Sequence, residues 1–260
     1  MIRITSKDNT LIKHIAKLNK SARYRRECFE FTAEGLRLCL DALNSDADIE
    51  SLIVSEKSYG KHTDDINKIA EVCEKSYIVP DSLFSRISQT KTPQGILCVI
   101  KTLDKPTLFD KMLIGGKYVA LENIQDPSNL GTVLRTAEAV GVDGVILSDD
   151  CCDIYSPKVI RGSMGAVFRL PILTSESIES FISEHKELSF YASVVDKGAE
   201  KITDVEFEEP CAVIIGNEGN GIKQSTISVC DKKITIPMNG RAESLNASAA
   251  AAIIIWELIK

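Results

Sequence analysis

Three polar segments in the second half of the chain hold the side chains best suited to chemistry. Each follows a short apolar run, and they read LENIQDPSNLGTVLR at 121–135, GNEGNG at 216–221 and IPMNGRAESLN at 236–246. Amide, hydroxyl, carboxylate and guanidinium groups can hold a phosphate or a ribose and can assist proton transfer. The chemistry therefore depends on whether the fold brings the three segments together.

The first segment opens a helix. A helical pattern that starts near residue 129 predicts Ser128 or Asn129 as the N-cap and places Arg135 in the second turn. Glu138 follows Arg135 by three residues, a spacing that predicts an ion pair between them. Asn129 and Arg135 together can grip a phosphate or a ribose. Taken alone, this segment is also consistent with an ordinary surface arginine.

The second segment is a glycine-rich turn around Glu218. Glycines at 216, 219 and 221 permit positive φ and close approach of a ligand to the backbone. Their spacing is G-x-x-G-x-G, which differs from the G-x-G-x-x-G of dinucleotide-binding turns. Because a carboxylate repels phosphate, Glu218 suits a cation or a ribose hydroxyl.

The third segment places Glu243, Ser244 and Asn246 at the mouth of a helix predicted over 247–258. This helix, ASAAAAIIIWEL, shows almost no polar face, so we expect it to be buried. One Ser or Asn is enough to cap a helix. The surplus of polar groups favours a binding site, although neither the chemistry of the segment nor its pattern assigns a role to Glu243.

The surrounding elements predict an α/β fold in two parts. Residues 117–260 alternate apolar strands with helices, which indicates a parallel sheet covered on both faces. Strands are predicted at 118–121, 145–147, 192–195, 212–215 and 233–236, and helices at 130–140, 157–164, 177–185 and 247–258. Residues 1–100 predict a smaller α/β unit, and residues 101–116 a linker. Ligands bind beyond the carboxyl ends of parallel strands, so the polar segments are expected to meet there.

The charge of the chain is unevenly distributed. Residues 1–27 hold eight Lys and Arg residues against two acidic ones, a net +6, whereas the whole chain carries −6 and the remainder therefore −12. This asymmetry favours a basic patch that contacts RNA, with candidate phosphate contacts at Lys20, Arg23, Arg25 and Arg26. A solvated basic helix face is the alternative interpretation.

Cysteine spacing and hydropathy exclude several classes of protein. The eight cysteines form no CxxC pair and no Cys/His cluster with zinc spacing, so we predict free thiols in a reducing cytoplasm and no metal site. The adjacent pair Cys151 and Cys152 has no assigned role. The N-terminus lacks the apolar core of a signal peptide, and no apolar run is long enough to span a membrane. We therefore expect a cytoplasmic protein without membrane contacts.

The order of the motifs resembles the SpoU (TrmH-type) RNA 2′-O-ribose methyltransferases of the SPOUT superfamily. The family motif N-x-G-x-x-x-R-[TS]-A is matched over 129–137, and G-x-E-x-x-G over 216–221. The third motif, I-P-M-x-G followed by S-L-N-x-S-x-A, is matched over 236–240 and 244–250. This resemblance covers 117–260 and includes KVIRGSMGAVFRLPI at 158–172. Residues 1–100 resemble the small ribosomal-protein-like domain that binds substrate in these enzymes.

The resemblance implies an enzyme that transfers a methyl group from S-adenosylmethionine to a ribose 2′-hydroxyl of RNA, with ribosomal RNA favoured over transfer RNA. It also implies a deep trefoil knot in the C-terminal domain and a homodimer formed through that domain. The implied catalytic residues are Arg135, Asn129, Glu218, Ser244 and Asn246. The implied cofactor contacts are Gly216, Ile236, Met238 and Leu245, with Ser193 as a further candidate, and Arg135 would also contact RNA.

Two other functions are weighed against this one. A catalytically silent RNA-binding relative would lack Arg135, Glu218 or Asn246, and the chain has all three. A nucleotide-dependent oxidoreductase would use a similar sheet, but its G-x-G-x-x-G turn is missing and only Asp149 and Asp150 support it. Calorimetry with S-adenosylmethionine and with NAD distinguishes the enzyme classes.

Overall fold

The computed structural model describes residues 1–103 and 116–260 and divides them into two compact units. The first unit comprises 1–103 together with 153–168, and the second comprises 116–152 and 169–260. Most of the linker predicted at 101–116 lies outside the described residues. The domain limits of 1–100 and 117–260 stay a prediction, and the first unit also includes 153–168, which the sequence pattern placed with the second.

The first unit is built on a mixed five-stranded sheet in the order β1-β4-β3-β5-β2. Its strands are β1 (Ile2–Arg3), β2 (Glu30–Glu34), β3 (Ile49–Ser55), β4 (Lys75–Val79) and β5 (Ile96–Lys101). β4 runs parallel to β1 and β3, whereas β5 is antiparallel to β3 and β2. Its helices are α1 (Thr10–Lys20), α2 (Ala22–Cys28), α3 (Leu36–Asn44), α4 (Glu56–Tyr59), α5 (Thr63–Val72) and α6 (Asp81–Ile87).

The second unit is a seven-stranded sheet in which every recorded strand pair is parallel. The order is β10-β12-β9-β11-β6-β7-β8. The strands are β6 (Lys117–Leu121), β7 (Gly144–Ser148), β8 (Ile172–Ser175), β9 (Ser189–Ser193), β10 (Glu200–Lys201), β11 (Cys211–Ile215) and β12 (Lys232–Thr235). The predicted parallel α/β sheet is therefore confirmed, and the short strands β8 and β10 are additions to it.

Helices cover both faces of this sheet. They are α7 (Pro127–Val140), α10 (Ile178–Glu184), α11 (Gln224–Val229) and α12 (Ala247–Ile259), whereas α8 (Pro157–Gly162) belongs to the first unit and α9 (Ala166–Arg169) ends at the boundary of that unit. Alternate strand residues such as Tyr118, Ala120 and Ile146 pack with Phe181 of α10. On a strand, the intervening residues point to the opposite face. The helices α7 and α12 pack against each other, and α12 also contacts the central strands β6 and β11.

The final helix differs from the prediction that it is buried. One side of α12 is buried through Ala251, Ile254, Ile255 and Leu258. On the other side, Ile253 is 40% exposed and Trp256 is 63% exposed. The apolar composition of α12 therefore serves two surfaces, and the described residues cover only one of them.

Candidate active site

The three polar segments meet at the carboxyl edge of the parallel sheet. They follow β6, β11 and β12, which lie in one sheet and point in the same direction. Loops that leave parallel strands in this way emerge at the same edge. The arrangement expected from the sequence is the one that the structure shows.

The glycine-rich segment closes into a tight ring. Asn217 and Gly221 exchange two backbone hydrogen bonds of 3.0 Å each, and Gly221 has a φ of +67°. The side chain of Asn217 fills the ring by accepting from the backbone N–H groups of Gly219 and Asn220. At Gly216 an added Cβ would lie 2.2 Å from the carbonyl carbon of Gly221, so no side chain fits there.

A chain of hydrogen bonds joins the three segments. Asn129 Nδ2 donates to Glu218 Oε1 over 3.0 Å, and Asn246 Nδ2 donates to Asn129 Oδ1 over 3.2 Å. Asn129 is buried at the centre of this chain. Asn246 is also the N-cap of α12, where its Oδ1 accepts from the backbone of Ser248 and Ala249. One residue from each segment thus contacts the next, and we call these three residues the amide–carboxylate chain.

Glu218 acts in this chain as an ionised acceptor. Its carboxylate also accepts from the backbone N–H groups of Gln125 and Asp126, at 3.2 Å and 3.1 Å. Desolvation favours a higher pKa for Glu218, but the hydrogen bonds from Asn129 and from backbone N–H groups outweigh it and hold the pKa below its ordinary value. A carboxylate stabilised in this way positions loops well and accepts a proton poorly.

The start of α7 differs from the prediction. The N-cap is Asp126, whose side chain accepts from the backbone N–H of Ser128 over 2.7 Å, and not Ser128 or Asn129. Pro127 occupies the first helical position, where its missing N–H costs nothing. Because Asp126 caps the helix, Asn129 is free to turn inward toward Glu218.

A buried carboxylate that sequence reasoning missed supports the glycine-rich ring. Glu122 directly follows β6 and is 1% exposed. It accepts from the backbone N–H of Lys223 over 2.7 Å and from the hydroxyl of Thr226 over 2.6 Å. These bonds fix the exit of the ring and the start of α11. An acidic residue immediately after an apolar strand was the available signal, but the same pattern occurs at exposed turns.

Arg135 stands apart from the amide–carboxylate chain. It lies six residues beyond Asn129, roughly 9 Å along the helix axis, and its side chain is exposed whereas Asn129 is buried. The predicted pair with Glu138 is wrong, because Glu138 pairs instead with Arg169 over 2.6 Å. Within the described part of the chain, Arg135 has no hydrogen bond or ion pair.

A cleft beside the amide–carboxylate chain is lined by most of the predicted cofactor contacts. Its inner cavity, of about 100 Å³, is lined by residues that include Ser193, Ile236, Met238, Leu245 and the predicted catalytic Ser244. An outer cavity of about 550 Å³ shares Thr235, Ile236 and Met238 with it, so the two lie side by side. Their combined size falls in the range of roughly 300–1,000 Å³ typical of small-molecule sites. Gly216 is absent from the lining of either cavity.

Part of the positive charge of the basic N-terminal segment is paired inside the protein. Arg25 is 5% exposed, its Nε donates to Asp153 over 2.7 Å, and its Nη1 donates to the carbonyl of Leu18. This pairing withdraws Arg25 from the candidate phosphate contacts, since its guanidinium is enclosed within the first unit. Sequence reasoning had no signal for it, because Asp153 lies 128 residues away.

The other candidate phosphate contacts of this segment reach solvent. Lys20, Arg23 and Arg26 are exposed. Arg23 forms an ion pair with Glu27 over 2.7 Å, with both side chains more than half exposed. An exposed pair of this kind contributes little and can exchange its carboxylate for a phosphate.

Residues 1–103 and 116–260 also bear on metal binding, membrane crossing and cysteine chemistry. No group of three or more His, Cys, Asp or Glu side chains there is arranged to hold a metal ion. None of the helices in these ranges is both long enough and apolar enough to cross a membrane. All eight cysteines are free, and burial raises the pKa of the Cys151 thiol.

Comparison with known proteins decides between the functions left open by the sequence. Residues 116–256 match the SpoU rRNA Methylase family, and residues 9–98 match the MRM3-like substrate binding domain. The chain belongs to the SpoU rRNA methylase family. The predicted family and enzyme class are therefore confirmed, and the oxidoreductase interpretation is wrong.

Relatives of this SpoU methylase extend over its whole length. It is 30% identical over 260 residues to the 23S rRNA (guanosine(2553)-2′-O)-methyltransferase RlmP of Bacillus subtilis, and the match covers 99% of each chain. An AdoMet-bound rRNA methyltransferase from Sinorhizobium meliloti is 29% identical, with a TM-score of 0.88 over 98% of this chain and 96% of that one. A TrmH-family RNA methyltransferase from Porphyromonas gingivalis, described as a candidate, has a TM-score of 0.79 at 26% identity, over 95% of each chain.

Proposed function

We propose that this SpoU methylase transfers a methyl group from S-adenosylmethionine to a ribose 2′-hydroxyl of ribosomal RNA. The observation that carries the proposal is the amide–carboxylate chain, which ties all three family motifs together beside a cleft. The names of the Bacillus subtilis and Sinorhizobium meliloti relatives point to ribosomal RNA, and the former also specifies the 2′-oxygen.

The cleft has the composition that S-adenosylmethionine needs. Ile236, Leu245 and Ile254 provide apolar walls for the adenosine, and Ser193 closes the end of β9 with its hydroxyl donating to the Ile214 carbonyl over 2.6 Å. When bound, the cofactor supplies an electrophilic methyl group on a positively charged sulfur. We assign Gly216 a different role from direct contact, which is to let the neighbouring ring close.

The methyl group moves from sulfur to the 2′-oxygen, whose proton leaves to solvent. Because the leaving group is neutral, the chain's own residues mainly have to position the ribose and stabilise charge on its 2′-oxygen. Arg135 remains protonated and so is not a base. We assign it to the phosphate beside the reacting ribose and to the negative charge that develops on the oxygen. Glu218 and Asn129 hold the loops in register, and Ser244 and Asn246 shape the mouth of the cleft.

A homodimer would complete this site. Arg135 is exposed and distant from the amide–carboxylate chain of its own protomer, and Ala249, Ile253 and Trp256 form an apolar stripe on α12 that residues 1–103 and 116–260 leave exposed. A second copy packed through this unit would bury the stripe and could bring its own Arg135 to the cleft. Mixing inactive Arg135→Ala and Asn246→Ala chains should then restore activity that neither has alone, and failure to restore it would place Arg135 in cis.

The deep trefoil knot is part of the same proposal. The chain leaves β12, near one edge of the sheet, and returns through 236–246 to the centre, where α12 packs on β6 and β11. This return passes the carboxyl edge where the ring of 216–221 lies. A return of this kind supports a knotted topology, in which this segment would thread through a preceding loop of the chain.

The first unit is proposed to hold the RNA. Its match to a substrate binding domain and the exposed cations Lys20, Arg23 and Arg26 support this role. With ribosomal RNA as substrate, the protein would act in the cytoplasm. Transfer RNA is the alternative substrate, and some relatives are described as tRNA/rRNA methyltransferases.

Mapping of 2′-O-methyl groups tests the substrate. Ribosomal and transfer RNA would be compared between a strain that lacks this protein and the same strain complemented with wild-type or Arg135→Ala protein. We expect one ribosomal 2′-O-methyl group to disappear and to return only with the wild-type chain. A loss confined to transfer RNA would show that transfer RNA is the substrate. No loss in either RNA would refute the proposal.

A further inference from the structure

Glu243, to which the sequence assigned no role, lines the cleft. It lines both the inner cavity and the outer cavity. Among the eleven described residues that line the inner cavity, it is the sole charged one, and the walls beside it are mostly apolar, including Ile236, Leu245 and Ile254.

The carboxylate of Glu243 has no partner among the described residues. In the ranges that the structure describes, Glu243 makes no hydrogen bond and no ion pair, in contrast to Glu218 and Glu122, whose carboxylates each accept several donors. The cations Lys197, Lys201 and Arg241 line only the outer cavity. Glu243 is thus an exposed acidic residue at the place shared by both cavities, with no partner among the described residues, and a ligand of the cleft can meet its charge.

The proposed cofactor brings the complementary charge. S-adenosylmethionine carries a positive charge on its sulfur, and S-adenosylhomocysteine, the product after the methyl group leaves, has a neutral sulfur there. The two molecules otherwise present the same adenosine and the same amino-acid group. Attraction between unlike charges strengthens where apolar walls displace water, so a carboxylate in this cavity can distinguish the two.

We propose that Glu243 is a specificity residue that recognises the sulfonium charge, so that the protein binds the methyl donor more tightly than the demethylated product. The inference rests on the proposed function, since it assumes that the cleft takes S-adenosylmethionine. Once the methyl group has moved, the attraction is lost, which favours exchange of product for fresh donor. Because the sulfur keeps part of its positive charge in the transition state, the attraction persists there, so its removal affects binding of the donor more than the rate of transfer.

Isothermal titration calorimetry on the full-length protein tests this role. Dissociation constants for S-adenosylmethionine and S-adenosylhomocysteine would be measured for the wild type, Glu243→Gln and Glu243→Asp. Glu206→Gln is the matched control, because it makes the same change at an exposed residue that lines neither cavity. Melting curves establish that each variant is folded, and Glu243 is exposed, so its amide variant should fold.

We expect Glu243→Gln to weaken binding of S-adenosylmethionine about fivefold, which corresponds to roughly 1 kcal/mol, while binding of S-adenosylhomocysteine stays unchanged. Glu243→Asp should retain most of the preference, Glu206→Gln should keep all of it, and added salt should reduce the wild-type preference. In steady-state assays, KM for the donor should rise in Glu243→Gln while kcat is preserved.

Equal weakening for both ligands would overturn the inference, because the carboxylate would then contact a group that both molecules share. Unchanged binding of both would also overturn it, since Glu243 would then face solvent. A wild-type protein that binds neither ligand would instead defeat the proposed function. The three results are distinguishable within one set of titrations.

Discussion

The carboxyl edge of the parallel sheet and the basic N-terminal segment were both singled out by sequence, and the structure treats them differently. At the carboxyl edge, Asn129, Glu218 and Asn246 contact one another directly. In the N-terminal segment, Arg25 is turned inward to Asp153 while Lys20 and Arg26 remain exposed.

The difference shows what a sequence motif and a charge count can each predict. A motif placed after a parallel strand has its location fixed by topology, because every such loop emerges at the same edge. A charge count fixes only how many cations a segment holds, and a cation can pair instead with a half-buried carboxylate, as Arg25 does with Asp153. Residue spacing was therefore a better guide to the site than charge.

The largest effect is expected from the backbone of the glycine-rich ring. Gly216→Ala would force a Cβ within 2.2 Å of the Gly221 carbonyl carbon, so we expect a loss of about 3 kcal/mol in the free energy of unfolding together with loss of cofactor binding. Gly219→Ala is the matched control, since its Cβ would meet nothing closer than 3.6 Å. Urea denaturation and calorimetry measure both. Equal tolerance of the two substitutions would show that the ring is not rigid.

A second test separates structural from solvent-facing cations in the basic segment. Arg25→Gln leaves the Asp153 carboxylate without its buried partner, so we expect a loss of about 3 kcal/mol in stability with an unchanged salt dependence of RNA binding. Replacing Lys20 and Arg26 together by Gln should leave stability unchanged and reduce the salt dependence of RNA binding. The slope of log K against log salt should fall by about 1.4 for single-stranded RNA, while the urea midpoint holds. A slope change in Arg25→Gln alone would reverse the contrast.

The smallest effect concerns the charge of Glu218. Its pKa is lowered in the folded state, so its stabilising contribution is complete above the ordinary value of 4.5 and is lost as pH falls through the folded value. Because the side chain is exposed, we expect Glu218→Gln to cost on the order of 0.5 kcal/mol at pH 7. The gap between wild type and variant should close below about pH 4.5, as followed by urea denaturation. A gap that widens on acidification would contradict this role.

Much of the site could be predicted from the sequence because it depends on short-range patterns. Strand endings located the three loops, and the residue types within them identified Asn129, Glu218 and Asn246. The parts that failed depend on partners distant in sequence, as for Arg25 with Asp153, or on competition between neighbours, as where Asp126 takes the cap from Asn129. The prediction that α12 is buried failed for another reason, because composition does not state which surface covers an apolar face.

Arg135 offers the most direct test of the central claim, which is that the motifs at the carboxyl edge form a methyl-transfer site. Binding of S-adenosylmethionine and single-turnover transfer of its labelled methyl group to ribosomal RNA would be measured on the same preparations of wild type and Arg135→Ala. We predict unchanged cofactor binding and a transfer rate reduced by roughly 10² to 10³. Transfer at the wild-type rate by Arg135→Ala would contradict the claim.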